Sequence, residues 1–249
     1  IKVSTNDNVY IGGETLSKTN ITTLGSHQQN NVDPIWNNYD GFLVKFDPDG
    51  VRQWGTYYGD LKDERINSLT IDLNEYIYIS GETLSDKGIA TIGSYQPIRV
   101  NQGPYPYDGF IAKFNPNGVR EWGTYCGGNN RDGIFDSKLD SNGNLIFLGI
   151  TNSTSGIATP NSYQEINNGN DGFLMKFDPN GNKIWGTYFG GNSDDFFYYL
   201  GIDASDNLYC FGQTISTTGI ATIGVFQEVY RSNTITHNSG CIFKLNQNG

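Results

Sequence analysis

Methionine is almost missing from this chain of 249 residues, with a single copy, and histidine and cysteine are scarce, with two and three copies. Charged residues make up only 17%. Helical proteins draw on Leu, Glu, Lys, Met and Ala, so a helical fold is not expected. Lys and Arg number 16 against 26 Asp and Glu, a net charge of −10, so the phosphate-neutralising surface of a nucleic-acid binder is lacking. The same charge would be repelled by an anionic leaflet. No apolar run approaches the roughly 18 residues of a membrane-spanning helix, and no signal-peptide pattern appears. Beginning at Ile1 rather than Met, the chain is expected to be a processed product or a fragment. What is present is 32 glycines, 16 tyrosines, 14 phenylalanines and 36% apolar residues. That is enough apolar material for a buried core, and its composition points to an all-β fold.

The chain repeats itself. DGFLVKFDPDGVRQWGTYYG from Asp40 returns from Asp108 as DGFIAKFNPNGVREWGTYCG and from Asp171 as DGFLMKFDPNGNKIWGTYFG, and its first half returns from Ser239 as SGCIFKLNQNG. A second block, YIGGETLS from Tyr10, recurs from Tyr78, Ile146 and Tyr209. Trp54 to Trp122 spans 68 residues and Trp122 to Trp185 spans 63, yet each Trp precedes the next repeat glycine (54 to 81, 122 to 149, 185 to 212) by 27. The five-residue difference therefore falls in the loop after that glycine. Each unit reads as four short strands. The turns Asp47-Pro-Asp-Gly50, Asn115-Pro-Asn-Gly118 and Asp178-Pro-Asn-Gly181 set Pro where φ is near −65° and Gly where φ is positive, the chemistry of a hairpin turn with a glycine bulge. Strands such as Phe42–Phe46 carry apolar residues on both faces, as stacked sheets do.

These blocks, in order and in three or four copies, resemble the SBBP family of β-propeller repeats, and are similar to versions in secreted Bacteroidota proteins associated with type IX secretion. The resemblance implies a β-propeller of four-stranded antiparallel blades in a single region, 1–249, with blades near 1–60, 61–127, 128–190 and 191–249. About four blades are expected, as part of a larger, seven-bladed ring whose remaining blades or domains lie elsewhere in a longer polypeptide. It also implies an extracellular or bacterial cell-surface location. No catalytic residues carry over from the family, and the last copy departs from its pattern at Ser239 and Gln247.

Internal copies also sort the candidate sites. His27 stands where Tyr95, Tyr163 and Phe226 stand, an aromatic packing position, and His237 has no motif around it. Neither supports a triad or a histidine metal site. Cys126, Cys210 and Cys241 replace apolar residues of other copies and are expected as buried thiols, with a Cys210–Cys241 bridge the lesser alternative. The hairpin acids are turn formers, too few for a calcium loop. Glu64, Asp132 and Asp195 share one repeat position, expected to make hydrogen bonds or salt bridges between blades rather than to bind metal, with the recurring Lys45, Lys113, Lys176 and Lys244 as partners. No cofactor is expected.

The aromatics that do not recur are Trp36, Tyr105, Tyr107 and Tyr230, all in the long variable loop. Flat aromatics on a rigid scaffold suit a protein or glycan ligand, although a solvated loop that merely caps the blade edge is the expectation they have to displace. Two function classes follow. One is a non-catalytic secreted or surface propeller acting in binding, scaffolding or adhesion, favoured because the asymmetric features are loop aromatics rather than the titratable pairs an enzyme needs. The other is part of a glycan-active or other hydrolytic propeller enzyme whose catalytic residues lie outside this chain.

Overall fold

The computed structural model describes residues 1–32, 38–101, 107–230 and 238–249. Among them are fifteen strands and no helix. The first sheet holds β1 (Lys2–Val3), β2 (Val9–Thr15), β3 (Asp40–Phe46) and β4 (Arg52–Tyr58). The second holds β5 (Glu64–Ile71), β6 (Ile77–Thr83), β7 (Asp108–Phe114) and β8 (Arg120–Cys126). The third holds β9 (Asp132–Leu139), β10 (Leu145–Thr151), β11 (Asp171–Phe177) and β12 (Lys183–Phe189). The fourth holds β13 (Asp195–Ile202), β14 (Leu208–Thr214) and β15 (Ser239–Leu245). Every pairing is antiparallel between consecutive strands. Two compact units result, one built on the first two sheets and the other on the last two.

The hairpin turns form as their residues dictate. Gly50, Gly118 and Gly181 take φ of 77°, 78° and 85°, and the carboxylate of Asp47 accepts from the amides of Asp49 and Val51. The extra turn residue appears as a register shift between Lys45 and Phe46, repeated at Lys113/Phe114 and Lys176/Phe177. A second bulge in the first strand of the later blades, between Ile66 and Ser68 for example, re-aims the side chains there.

Packing explains the recurring residues. In the first unit Leu43 of β3 packs against Ile66 and Leu69 of β5. In the second, Leu148 and Leu174 share a core with Phe197 and Leu200 of β13. His27 lies edge-on to Phe114, with ring centroids 5.6 Å apart, and Tyr163 lies 6.3 Å from Phe243, so the His27 position is aromatic packing. The fourth strand of each complete blade is held on its far side by the variable loop. In the first three sheets the amides of Thr23, Thr91 and Thr159 donate to the carbonyls of Gly55, Gly123 and Gly186. Those glycines are obligatory, because a Cβ would stand 2.2, 2.4 and 2.3 Å from the carbonyl oxygens of Ile21, Ile89 and Ile157. The three cysteines are free, Cys126 and Cys210 buried and Cys241 half-buried, so no Cys210–Cys241 bridge is formed.

Candidate functional site

The recurring acids open the first strands of their blades and are sealed from solvent. Glu64 accepts from the amide of Asp60 at 2.9 Å and from Thr83 Oγ1 at 2.7 Å. Asp132 accepts from the amide of Gly128 at 2.7 Å and from the hydroxyls of Thr151 and Ser153. Asp195 accepts from the amide of Gly191 at 2.6 Å and from Ser216 Oγ at 2.9 Å. Each acid thus closes its own blade's entry loop onto its second strand. Burial pushes the carboxyl of Glu64 up to about 7. Asp171, buried and facing the charge of Asp195, also rises to about 7. With no solvent access, these carboxyls serve packing rather than acid–base chemistry on a substrate.

The lysines do not pair with these acids, which corrects the expectation above. Lys45 reaches across to the turn of the next blade and binds Glu75 at 3.0 Å. Lys176 binds Asp140 at 2.7 Å. Lys113 lies 4.5 Å from the ring centroid of Tyr76, and Lys244 lies 5.2 Å from that of Tyr209. The lysine stands on the third strand opposite the Trp, at the end of the blade far from the entry acids, so sequence recurrence alone could not show who meets whom.

Of the loop aromatics, Trp36 and Tyr105 lie outside the described residues, as does His237. Tyr230 is half-buried in the loop after β14. Tyr107 is half-buried immediately before β7. Its hydroxyl donates to Asp63 Oδ2 at 3.3 Å, and Arg65 lies over its ring at 5.5 Å. Arg65 is itself clamped by Glu14 at 3.1 Å and Glu82 at 3.2 Å.

The corresponding surface of the second unit carries different chemistry. Repeat positions held by Asp63, Arg65 and Asn67 in one blade hold Arg131, Gly133 and Phe135 in the next and Asp194, Phe196 and Tyr198 in the last, and Glu82 gives way to Ile150. Arg131, Phe135, Ile150, Asn152, Asn170, Phe196 and Tyr198 line a cleft of about 270 Å³. Phe135 and Tyr198 meet edge-to-face at 5.5 Å. Asn170 occupies the repeat position that Tyr107 holds in the first unit. The other cleft residues were missed because they sit inside strands. The signal that would have found them is non-recurrence at a strand position whose neighbours all recur. Among the described residues no cluster of three or more metal-ligating side chains is present.

No family model matches the chain. A curated relative, an uncharacterised WD repeat-containing protein of Acanthamoeba polyphaga mimivirus, is 28% identical over 235 residues. The alignment covers 79% of this chain and 17% of the relative, so the chain spans about a sixth of that protein's length. Antiparallel four-stranded meanders repeated in series, with a relative of repeat type, settle the architecture. The chain is a β-propeller repeat protein. In this propeller the blade interiors are repeated, whereas the positions of Asp63, Arg65, Asn67 and Glu82, along the rim of the first two strands, change from blade to blade.

Proposed function

We propose that this propeller is a non-catalytic scaffold that binds a protein partner through the varied rims of its blades. The observation that carries this reading is the contrast at one set of repeat positions: an Arg65-centred ion network with Tyr107 in the first unit, and an aromatic cleft with Arg131 at its edge in the second. Packing constraints are alike in every blade, so they do not account for the difference. Aromatics and Arg are the side chains that dominate protein interfaces. The resemblance to secreted bacterial repeats extends the proposal to work outside the cell, at a bacterial surface.

A second reading, glycan recognition, is favoured by Asn152 and Asn170 beside the rings of the cleft, with the loop aromatics Trp36, Tyr105, Tyr107 and Tyr230 as further stacking surfaces. The test compares the chain with its F135A/Y198A variant. Cross-linking to proteins of the source cell surface should yield a specific partner that the variant loses while its thermal stability stays within a few degrees. An unchanged set of partners would refute the rim as the binding surface. Binding on an immobilised oligosaccharide panel, lost in the same variant, would favour the glycan.

A further inference from the structure

One set of repeat positions carries one kind of chemistry in the first unit and its reverse in the second. Between β5 and β6 the cross-strand pair is Arg65 opposite Glu82, and between β9 and β10 the same pair is Gly133 opposite Ile150. Arg65 fills its surface: the guanidinium lies over the ring of Tyr107 and binds Glu14 and Glu82, and the Tyr107 hydroxyl donates to Asp63. In the third blade Gly133 leaves that place without a side chain. There Ile150 stands for Glu82, Asn170 for Tyr107 and Arg131 for Asp63. The carboxylates that hold a cation in one blade are gone from the next, and a cation stands where one of them was.

The aromatic walls come from the same irregularity in two neighbouring blades. The register of β9 with β10 skips Phe135, and that of β13 with β14 skips Tyr198. Each is the extra residue of a bulge, which turns its side chain out of the strand's alternation. Phe196 and Ile150 complete the apolar lining, with Arg131, Asn152 and Asn170 as the polar part. All of these residues lie in β9, β10 or β13 or directly flank β9, β10 or β11, so the third and fourth blades build the cleft without help from β15. Its volume of about 270 Å³ is below the roughly 300–1,000 Å³ of small-molecule sites. A single residue of a larger partner suits it better.

We propose that this cleft receives the C-terminal residue of a partner protein, with an apolar or aromatic side chain among Phe135, Phe196, Tyr198 and Ile150 and the terminal carboxylate on Arg131. The proposal rests on the rim being the binding surface, and it names what that surface takes. A chain terminus presents a carboxylate and an apolar side chain on one residue, which matches a small apolar cleft with a guanidinium at its edge. Arg131 has a partner within the chain, but a guanidinium offers five N–H donors in a planar fork and accommodates a carboxylate as well. The carboxamides of Asn152 and Asn170 add donors beside it. Asp194, next to the fourth-blade wall, is engaged by the amide of Asn170 at 3.1 Å. The net charge of −10 repels an acidic stretch, which favours one terminal carboxylate over a run of Asp and Glu. Aromatics and Arg are also the side chains that anchor partners most strongly.

The test titrates N-terminally labelled pentapeptides, Gly-Ser-Gly-Ser followed by Phe, Leu or Gly, into the 249-residue chain up to millimolar concentration. Peptides ending in Phe or Leu with a free carboxylate should bind saturably. Their carboxamide forms and the Gly-ended peptide should bind roughly tenfold more weakly or worse, the scale of a charge-assisted hydrogen-bond pair. Arg131→Gln should erase the difference between acid and amide, and F135A/Y198A should erase the preference for Phe and Leu over Gly, with melting temperatures within a few degrees of the parent. Equal binding of acid and amide forms, a carboxylate preference that survives Arg131→Gln, or no saturable binding would overturn the proposal. So would equal binding of an amidated peptide that carries an internal Glu before Phe. If cross-linking then still yields a partner that F135A/Y198A loses, the rim stands as the binding surface and the terminal-residue ligand alone falls.

Discussion

Glu64, Asp171, Glu75 and His27 show how single residues of similar composition take opposite roles from their surroundings. Glu64 and Asp171 are held near 7 in the fold, above their ordinary values. The folded state therefore binds more protons than the unfolded state between about pH 4 and 7, and stability from these groups falls as pH rises through that window. His27 works against them. Burial lowers it to about 4, so the unfolded chain takes up the proton first and stability is lost as pH falls from 6.5 to 4. In an E64Q/D171N variant, the midpoint of urea unfolding should change less between pH 5 and 8 than in the parent. An unchanged slope would show that these carboxyls do not carry it. His27→Tyr, which installs the residue found at 95 and 163, should leave stability at pH 7 within about 0.5 kcal/mol, the usual range for a tolerated substitution. It should also remove the opposing loss on acidification.

The seams between elements rest on a few polar side chains. Glu75, in the turn after β5, accepts from Ser4, Asn8, Tyr10 and Lys45 of the neighbouring blade. These bonds outweigh burial and bring its carboxyl down to about 2. Its contribution is present above pH 4.5 and lost as pH falls toward 2. Glu75→Ala leaves Lys45 and the Tyr10 hydroxyl without their acceptor and should cost about 3 kcal/mol, measured by urea unfolding. A value under about 1 kcal/mol would show that the seam is held by apolar contact alone. Thr124→Val keeps the shape of β8 but removes the acceptor of the Gln96 amide. A loss of about 1–3 kcal/mol is expected, with faster amide exchange confined to the loop 88–96. Faster exchange spread over all of β5–β8 would mean that the loop is part of the sheet's own cooperative unit.

For the molecule as a whole, thiol accessibility reports how completely each unit is closed. Cys126 and Cys210 are fully buried, while Cys241, on β15, is half-buried and raised to about 12 by burial and by Asp195. Native chain should therefore label at Cys241 first and slowly, with the other two thiols reacting only after denaturation. Equal protection of all three would mean that β15 is covered in solution. The sequence by itself determined the strands, the hairpin turns and their antiparallel order. Asp-Pro-Asn-Gly turns and alternating apolar residues act through local backbone sterics, and the repeat supplied several copies from which to average. It also identified His27 as a packing position and Tyr107 as a residue outside the common pattern. Only tertiary structure decided that Lys45 meets Glu75 rather than Glu64, that Tyr107 lies between Asp63 and Arg65, and that Arg131, Phe135, Phe196 and Tyr198 converge on one cleft. These contacts join residues from different strands or adjacent blades. Their distances depend on blade stacking and on bulges that turn side chains by one position, and neither leaves a mark in local sequence.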